Sequence, residues 1–355
     1  MKGKTSWRSE NYFAAWLAVA AMTIAGTGLA QAQSETDFKA KTIRLIIGTS
    51  TGGGVDLYAR LVAQFLAKHL PGEPTIVAQN MPGASSLVAA NYIYNMGKPD
   101  GLTLGALQGG VFFDQILGRD TAKFDWAKFT MIGSPERLEA QLYMRADSPY
   151  KTLEDIRRAA DAPRCGGAGT GATGYFVPKI LEETIGLKFK TVTGYQSGGE
   201  IDIAVERGEL HCPAYDIGSF VGREPTRTWF KNGFVKSLIQ TGRKRDTRLG
   251  DVPTLYELMD KQKTPEPLRR MAAVALSSGG FGRPMVAPPG MSADVARTIR
   301  ESYAKMLKDP EFVAAVKKRR YDLEPVSWEE MQNLAKEVTS QPPEVLERVK
   351  KILEN

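Results

Sequence analysis

The stretch GTGATG at Gly169–Gly174 has the spacing G-x-G-x-x-G, in which glycines let a backbone turn approach a pyrophosphate at a helix N-terminus. A dinucleotide site also needs a carboxylate about twenty residues further on, at the end of the next strand, to hold a ribose. Here that strand ends in Thr193-Gly194-Tyr195, which supplies none. What remains for the glycines is capture of a smaller anion by backbone N–H groups at the positive end of a helix. Three further turns share the design: TSTGGGVD (Thr49–Asp56), NMPGASS (Asn80–Ser86) and TGYQSGGE (Thr193–Glu200). All are short of side-chain cations. Together they predict a cleft that grips carboxylates through amides and hydroxyls, against the plainer reading that the glycines only close tight strand-to-helix turns. The candidate contacts are Ser50, Thr51, Gly52, Gly53, Ser85 and Ser86 on one side. Gly169, Thr170, Gly171, Ala172, Thr173 and Ser197 face them from the other. Asp56 and Asp216 could each accept a hydroxyl or ammonium from a ligand, or cap a helix start. Tyr175 and Tyr195 could stack on a ligand ring or simply pack.

Other chemistry is poorly supplied. His69 and His211 are the only histidines and lie far apart, so no metal is expected. There is no G-x-S-x-G elbow, and the only Cys–His pair is the adjacent His211–Cys212, so no catalysis and no cofactor are expected. The basic cluster GRKRDTR (Gly242–Arg248) has no interleaved aromatics and reads as a solvated loop, not a nucleic-acid surface. Cys165 and Cys212 each open a short strand-like segment. They are either a disulfide or two buried thiols.

The elements that must position these turns alternate. TIRLIIG is a strand, followed by a helix over VDLYARLVAQFLAKHL with Leu57, Leu61, Phe65 and Leu66 near helical spacing. TIVAQ, a helix over LVAANYIYNM and the strand LTLGAL follow, so the order is β-α-β-α-β and predicts a parallel, doubly wound sheet. A second such series runs from the capping box Thr152-x-x-Asp155 through RCGGAG, the helix YFVPKILEETI (interrupted near Pro178), LKFKTVTG, GEIDIAVERG and LHCPAYD. The tail is mostly helical, with a Ser327-x-x-Glu330 cap. Segments 130–145 and 235–250 are expected to cross between the two series as hinge strands.

The first residues read as an export signal. Lys2, Lys4 and Arg8 precede the apolar run Phe13–Ala25, and Ala30-Gln31-Ala32 offers a cleavage site. That run is too short to span a bilayer comfortably. Removing residues 1–32 would lower the formal charge from +7 to +5, a modest and scattered excess.

In this setting the spans Ile43–Arg60, Val77–Leu104, Phe129–Gly133, Gly167–Gly208 and Met285–Tyr321 resemble the periplasmic solute-binding receptors of tripartite tricarboxylate transporters, the Bordetella uptake gene group included. The marks are Gly52-Gly53-Gly54-Val55-Asp56 with Ala59-Arg60, Asn80 with Pro82-Gly83-Ala84, and Asp100-Gly101-Leu102-Thr103-Leu104. The family's middle-domain turn fits less closely: Ala168 and Ala172 stand where serines are usual, and Tyr175 replaces a histidine. These changes point away from citrate or a small dicarboxylate and toward an aromatic or otherwise less polar acid, within the broader class of di-/tricarboxylates and aromatic acids. The resemblance implies two doubly wound α/β domains joined by two crossing strands, of the type II periplasmic binding protein kind. Residues 33–137 with 237–355 would form the first and 138–236 the second. It implies a monomeric periplasmic receptor that closes on an organic acid, partly through water, and hands it to membrane transporter subunits. The readings from other classes are an exported hydrolase or lyase on a similar scaffold, and a sensor subunit. Segments 219–234 and 259–282 stand out as insertions.

Overall fold

The computed structural model describes Met1 and residues 36–52, 54–167, 173–195, 198–222 and 224–354. The expected export signal after Met1, Gly53, Ala168–Ala172 and Ser197 lie outside the described residues. Within Thr36–Asn355 there are two five-stranded sheets. The first has the order β2-β1-β3-β10-β4, built from β1 (Thr42–Ile47), β2 (Thr75–Asn80), β3 (Thr103–Ala106), β4 (Thr130–Gly133) and β10 (Met285–Ala287). The second has the order β7-β6-β8-β5-β9, from β5 (Ala140–Arg145), β6 (Arg164–Gly166), β7 (Lys190–Val192), β8 (Cys212–Asp216) and β9 (Val235–Gln240).

The predicted β-α-β-α-β units are present. β1 runs parallel to β2 and β3, with Leu45 opposite Ala78 and Leu104, and β6 runs parallel to β7 and β8. The sheets are nevertheless mixed, not wholly parallel: β10 is antiparallel to β3 and β4, and β5 is antiparallel to β8 and β9. Both reversed strands are those by which the chain enters a sheet from the other half of the molecule. β5 follows β4 after only residues 134–139, so it enters the second sheet at the end facing the first and must run back through it.

Helix α1 (Gly54–His69) buries Tyr58, Leu61, Val62, Phe65 and Leu66 against the first sheet, while Leu57, expected on that stripe, is 38% exposed. α2 (Leu87–Met96) follows β2, and the short α3 (Phe113–Ile116) follows β3. α4 (Leu153–Arg158) opens on the predicted box: Asp155 N–H donates to Thr152 Oγ1 at 3.2 Å, and Thr152 N–H donates back to Asp155 Oδ2 at 2.8 Å. α5 (Thr173–Ile185) runs through Pro178 without interruption. Pro178 falls early in the helix, so the missing N–H forfeits a single bond, to the carbonyl of Gly174. α6 (Gly198–Glu206), α7 (Ile217–Gly222) and α8 (Thr226–Asn232) cover the other face of the second sheet, where Phe220 and Trp229 pack on Tyr143.

After β9 the chain does not return at once to the first sheet. α9 (Leu255–Gln262) and α10 (Glu266–Phe281) first pack on α5, and the return comes at Gly282–Pro284, into β10. α11 (Ala293–Lys308) lies on α1 and β4, with α12 (Pro310–Lys318) beside it. α13 (Trp328–Thr339) begins at the predicted cap, where Glu330 N–H donates to Ser327 Oγ at 3.2 Å. α14 (Pro343–Glu354) packs on α10 and α5, so one apolar core runs from the first sheet's Ile46 and Leu87 through Phe281 to Leu142, Ile180 and Val349.

Candidate functional site

Three strand-to-helix turns of the first sheet open on one cavity of about 570 Å3. After β1 come Thr49, Ser50, Thr51, Gly54 and Val55; after β2, Ala84 and Ser85; after β3, Gln108, Gly109 and Gly110. Thr173 and Phe176 of α5, Asp216 at the end of β8 and Thr241 after β9 line it from the second sheet. Phe113 and Leu117 on one side and Leu276 and Leu353 on the other give it apolar walls. The cavity therefore lies where strands of both sheets end and helices begin, the position at which open α/β sheets bind ligands.

Asp56 shapes the first turn. It is 1% exposed, and its carboxylate accepts from Gly52 N–H at 2.9 Å, Arg60 Nε at 2.9 Å and Asn80 Nδ2 at 2.8 Å. Asn80 Nδ2 also lies 2.8 Å from the Thr49 carbonyl, joining the β1 and β2 turns. Burial pushes the Asp56 carboxyl up, but the bonds from Arg60, Gly52 and Asn80 together hold it below the usual carboxylate range. Of the two readings open for Asp56, the geometry fits the capping one, and the Gly52 amide is spent on it as well. Among the described residues the first-turn amides of Gly54 and Val55 make no hydrogen bond, because no carbonyl lies four residues back within a helix at its start.

Ser85 and Ser86 divide similarly. Ala84, Ser85 and Ser86 all take positive φ (43°, 52° and 77°), which turns Ser85 to the cavity and Ser86 away from it. Ser86 is fully buried; its Oγ donates to the Gly48 carbonyl at 3.1 Å and accepts from Gln108 N–H at 3.0 Å, tying all three turns together.

On the second sheet, Asp216 does line the cavity, and its Oδ1 accepts from Ser219 N–H at 2.7 Å, capping α7. Tyr175 is 4% exposed and off the described cavity lining, and its Oη has no hydrogen-bond partner among the described residues. Tyr195 sits half-buried against the Tyr143 cluster, also off the lining. Both tyrosines pack among the described residues and neither is in the described lining of the cavity. The last glycine of the G-x-G-x-x-G string serves the packing of the second domain. A Cβ at Gly174 would stand 2.3 Å from the Gly166 carbonyl, so only glycine lets α5 lie this close to β6. Cys165 and Cys212, paired in register across β6 and β8, form a disulfide with both residues fully buried.

Several lining residues escape the sequence reading. Gln108-Gly109-Gly110 is one more glycine turn between a strand and a helix, and the same logic finds it once β3 is placed. Arg283 had no local signal. It sits on the return from α10 to β10, its Nε donates to Glu136 Oε1, and its guanidinium stands over the Tyr58 ring with Cζ 5.0 Å from the centroid. Tyr58 Oη in turn stands 2.5 Å from both Glu136 Oε2 and the Asp322 carbonyl. The expectation of a cleft short of cations is corrected by this arginine and by Arg119, which is paired with Asp114 at 2.6 Å. Both cations reach the cavity from segments outside the glycine turns.

The family described as tripartite tricarboxylate transporter family receptor matches residues 58–355. The UPF0065 protein in the gbd 5′ region of Cupriavidus necator is 27% identical over 328 residues, covering 89% of this chain and 90% of that protein. Among solved structures, a TctC solute-binding protein from Polaromonas superposes with a TM-score of 0.67 at 20% identity, covering 87% of this chain and 98% of its own. MatC of Rhodopseudomonas palustris, solved with bound malate, gives 0.59 at 18%, covering 88% and 98%. With that match extending over most of its length, the chain belongs to the tripartite tricarboxylate transporter receptor family, a family of solute-binding proteins built on two α/β domains.

Proposed function

We propose that the protein is an exported, periplasmic receptor that captures an organic acid between its two domains and delivers it to a membrane transporter. The observation that carries this reading is a cavity lined by strand-to-helix turns of the first sheet and by Thr173, Phe176, Asp216 and Thr241 of the second. The α1 end offers Gly54 and Val55 N–H with Ser50, Thr51 and Ser85; the α5 end offers Thr173, with Asp216 positioned to accept a hydroxyl or ammonium. Phe113, Phe176 and Leu117 suit the body of an aromatic or less polar acid. The malate held by the related MatC supports the carboxylate class. Residues 1–32 serve as the export signal, the mature chain acts as a monomer, and the inserted domain, expected over 138–236, extends past β9 to the return at Gly282–Pro284. No helix among the described residues is long and apolar enough to cross a membrane, which fits delivery to a separate membrane partner.

A thermal-shift screen of the mature protein against aliphatic and aromatic carboxylic acids tests the reading. The melting temperature should rise with the logarithm of acid concentration, because only the folded state binds. A panel in which no acid raises it would overturn the receptor assignment.

A further inference from the structure

Arg283 is anchored so that its guanidinium reaches the mouth of α1. Its main-chain N–H donates to Ser134 Oγ at 2.9 Å, fixing its base on the first crossing between the sheets. The guanidinium lies against the Cα of Gly54, the first residue of α1: a Cβ there would stand 2.5 Å from Nη1 and 2.7 Å from Nη2. Only Nε has a partner, Glu136, whose side chain is 6% exposed; among the described residues neither Nη group makes a hydrogen bond. Arg283 and Gly54 both line the cavity.

This arrangement is electrostatically incomplete. The start of a helix carries partial positive charge and favours anions, so a guanidinium beside it adds like charge to like. Glu136 offsets the arginine from its Nε side but does not reach the helix end through the Nη side. Thr49 Oγ1, on the same wall, is buried and has no hydrogen-bond partner among the described residues. An anion placed there would take the two Nη groups, the α1 amides and that hydroxyl together, and arginine's planar fork suits a carboxylate bidentately.

We propose that Arg283 is a ligand-binding residue of this receptor: its Nη groups clamp the carboxylate seated at the start of α1, with Glu136 holding the side chain in place from behind. The clamp rests on the receptor reading above and adds to the amide turns a fixed cation, supplied by the return crossing. Gly54 is part of the same device, since any side chain there would displace the guanidinium.

Titration calorimetry with malate, adipate and benzoate on the mature protein tests it. The tightest of the three is then titrated into Arg283→Lys and into the double variant Arg283→Met/Glu136→Gln, which removes the clamp without leaving Glu136 as an unpaired buried charge. Removing charge-assisted hydrogen bonds should weaken binding by roughly tenfold or more in the double variant, in protein whose circular dichroism matches the parent's, and with a shallower dependence of Kd on salt. Arg283→Lys, which keeps the charge but loses the fork, should fall between the two, and it carries the test if the double variant does not fold. Binding within about twofold of the parent in a folded variant would overturn the clamp while leaving the receptor assignment intact. Failure of the parent to bind any of the three acids would remove both.

Discussion

At the scale of single residues, the site separates groups that face a ligand from groups that hold those groups still. Asp56, Asn80 and Ser86 belong to the second kind, since their bonds brace the β1 turn internally and fasten it to the β2 and β3 turns. Asp56→Ala should therefore destabilise the fold by about 2 kcal/mol, the scale of a hydrogen bond to a charged group, read as a lower urea midpoint. Because the folded carboxyl titrates below its ordinary 3.8, its contribution is present above that pH and is lost as pH falls through the folded value. The variant's deficit should accordingly shrink in acid. A deficit that stays constant down to that range would show that the charge of Asp56 is not what holds the turn. The sequence marks Asp56 as either ligand or cap, and only the position of Asn80, twenty-four residues on, decides between them. Arg283 had no mark of its own, because its neighbours Glu136 and Tyr58 lie 147 and 225 positions away in the chain.

At the scale of elements, local signals read well. The Thr152 and Ser327 caps, the helix after each glycine turn and the strand order within each β-α-β unit follow from spacing alone, since each depends on neighbours within a few residues. What depends on distant partners was hidden: the reversal of β5 and β10, and the placement of α10 on α5. The disulfide sits between these cases, because two cysteines opening neighbouring strands made pairing possible without requiring it. Cys165–Cys212 closes a loop with a sequence separation of 47 in the middle of the second sheet. By the chain-entropy argument, its removal in Cys165→Ala/Cys212→Ala should lower unfolding free energy by about 2–4 kcal/mol. Both cysteines are fully buried, so a reductant should act on the native protein only as fast as it opens. Chemical denaturation of the two forms measures the first effect; equal midpoints would contradict it.

At the scale of the whole molecule, the two sheets are joined by the crossing at residues 134–139 and by the return at Gly282–Pro284, with α10 and α14 carrying a shared core past both. Glu139 lies in the first crossing beside Gly242 and forms no ion pair among the described residues. Burial, followed by the charge of nearby Glu324, pushes its carboxyl up to about 7, against an ordinary 4.5. Between those values the folded state keeps a proton that the unfolded state has released, so this group's contribution to stability falls as pH rises from 4.5 to 7. Glu139→Gln should flatten that slope in melting temperature measured across the window, and curves that stay parallel would show that Glu139 does not titrate there.

The most direct measurement is a crystal structure of the mature protein with whichever acid stabilises it most. The account predicts a carboxylate within hydrogen-bond distance of the Gly54 and Val55 amides and of Arg283 Nη, with the other end of the acid touching residues of the second sheet such as Thr173 or Asp216. An acid bound away from the start of α1, or held by one domain alone, would contradict it.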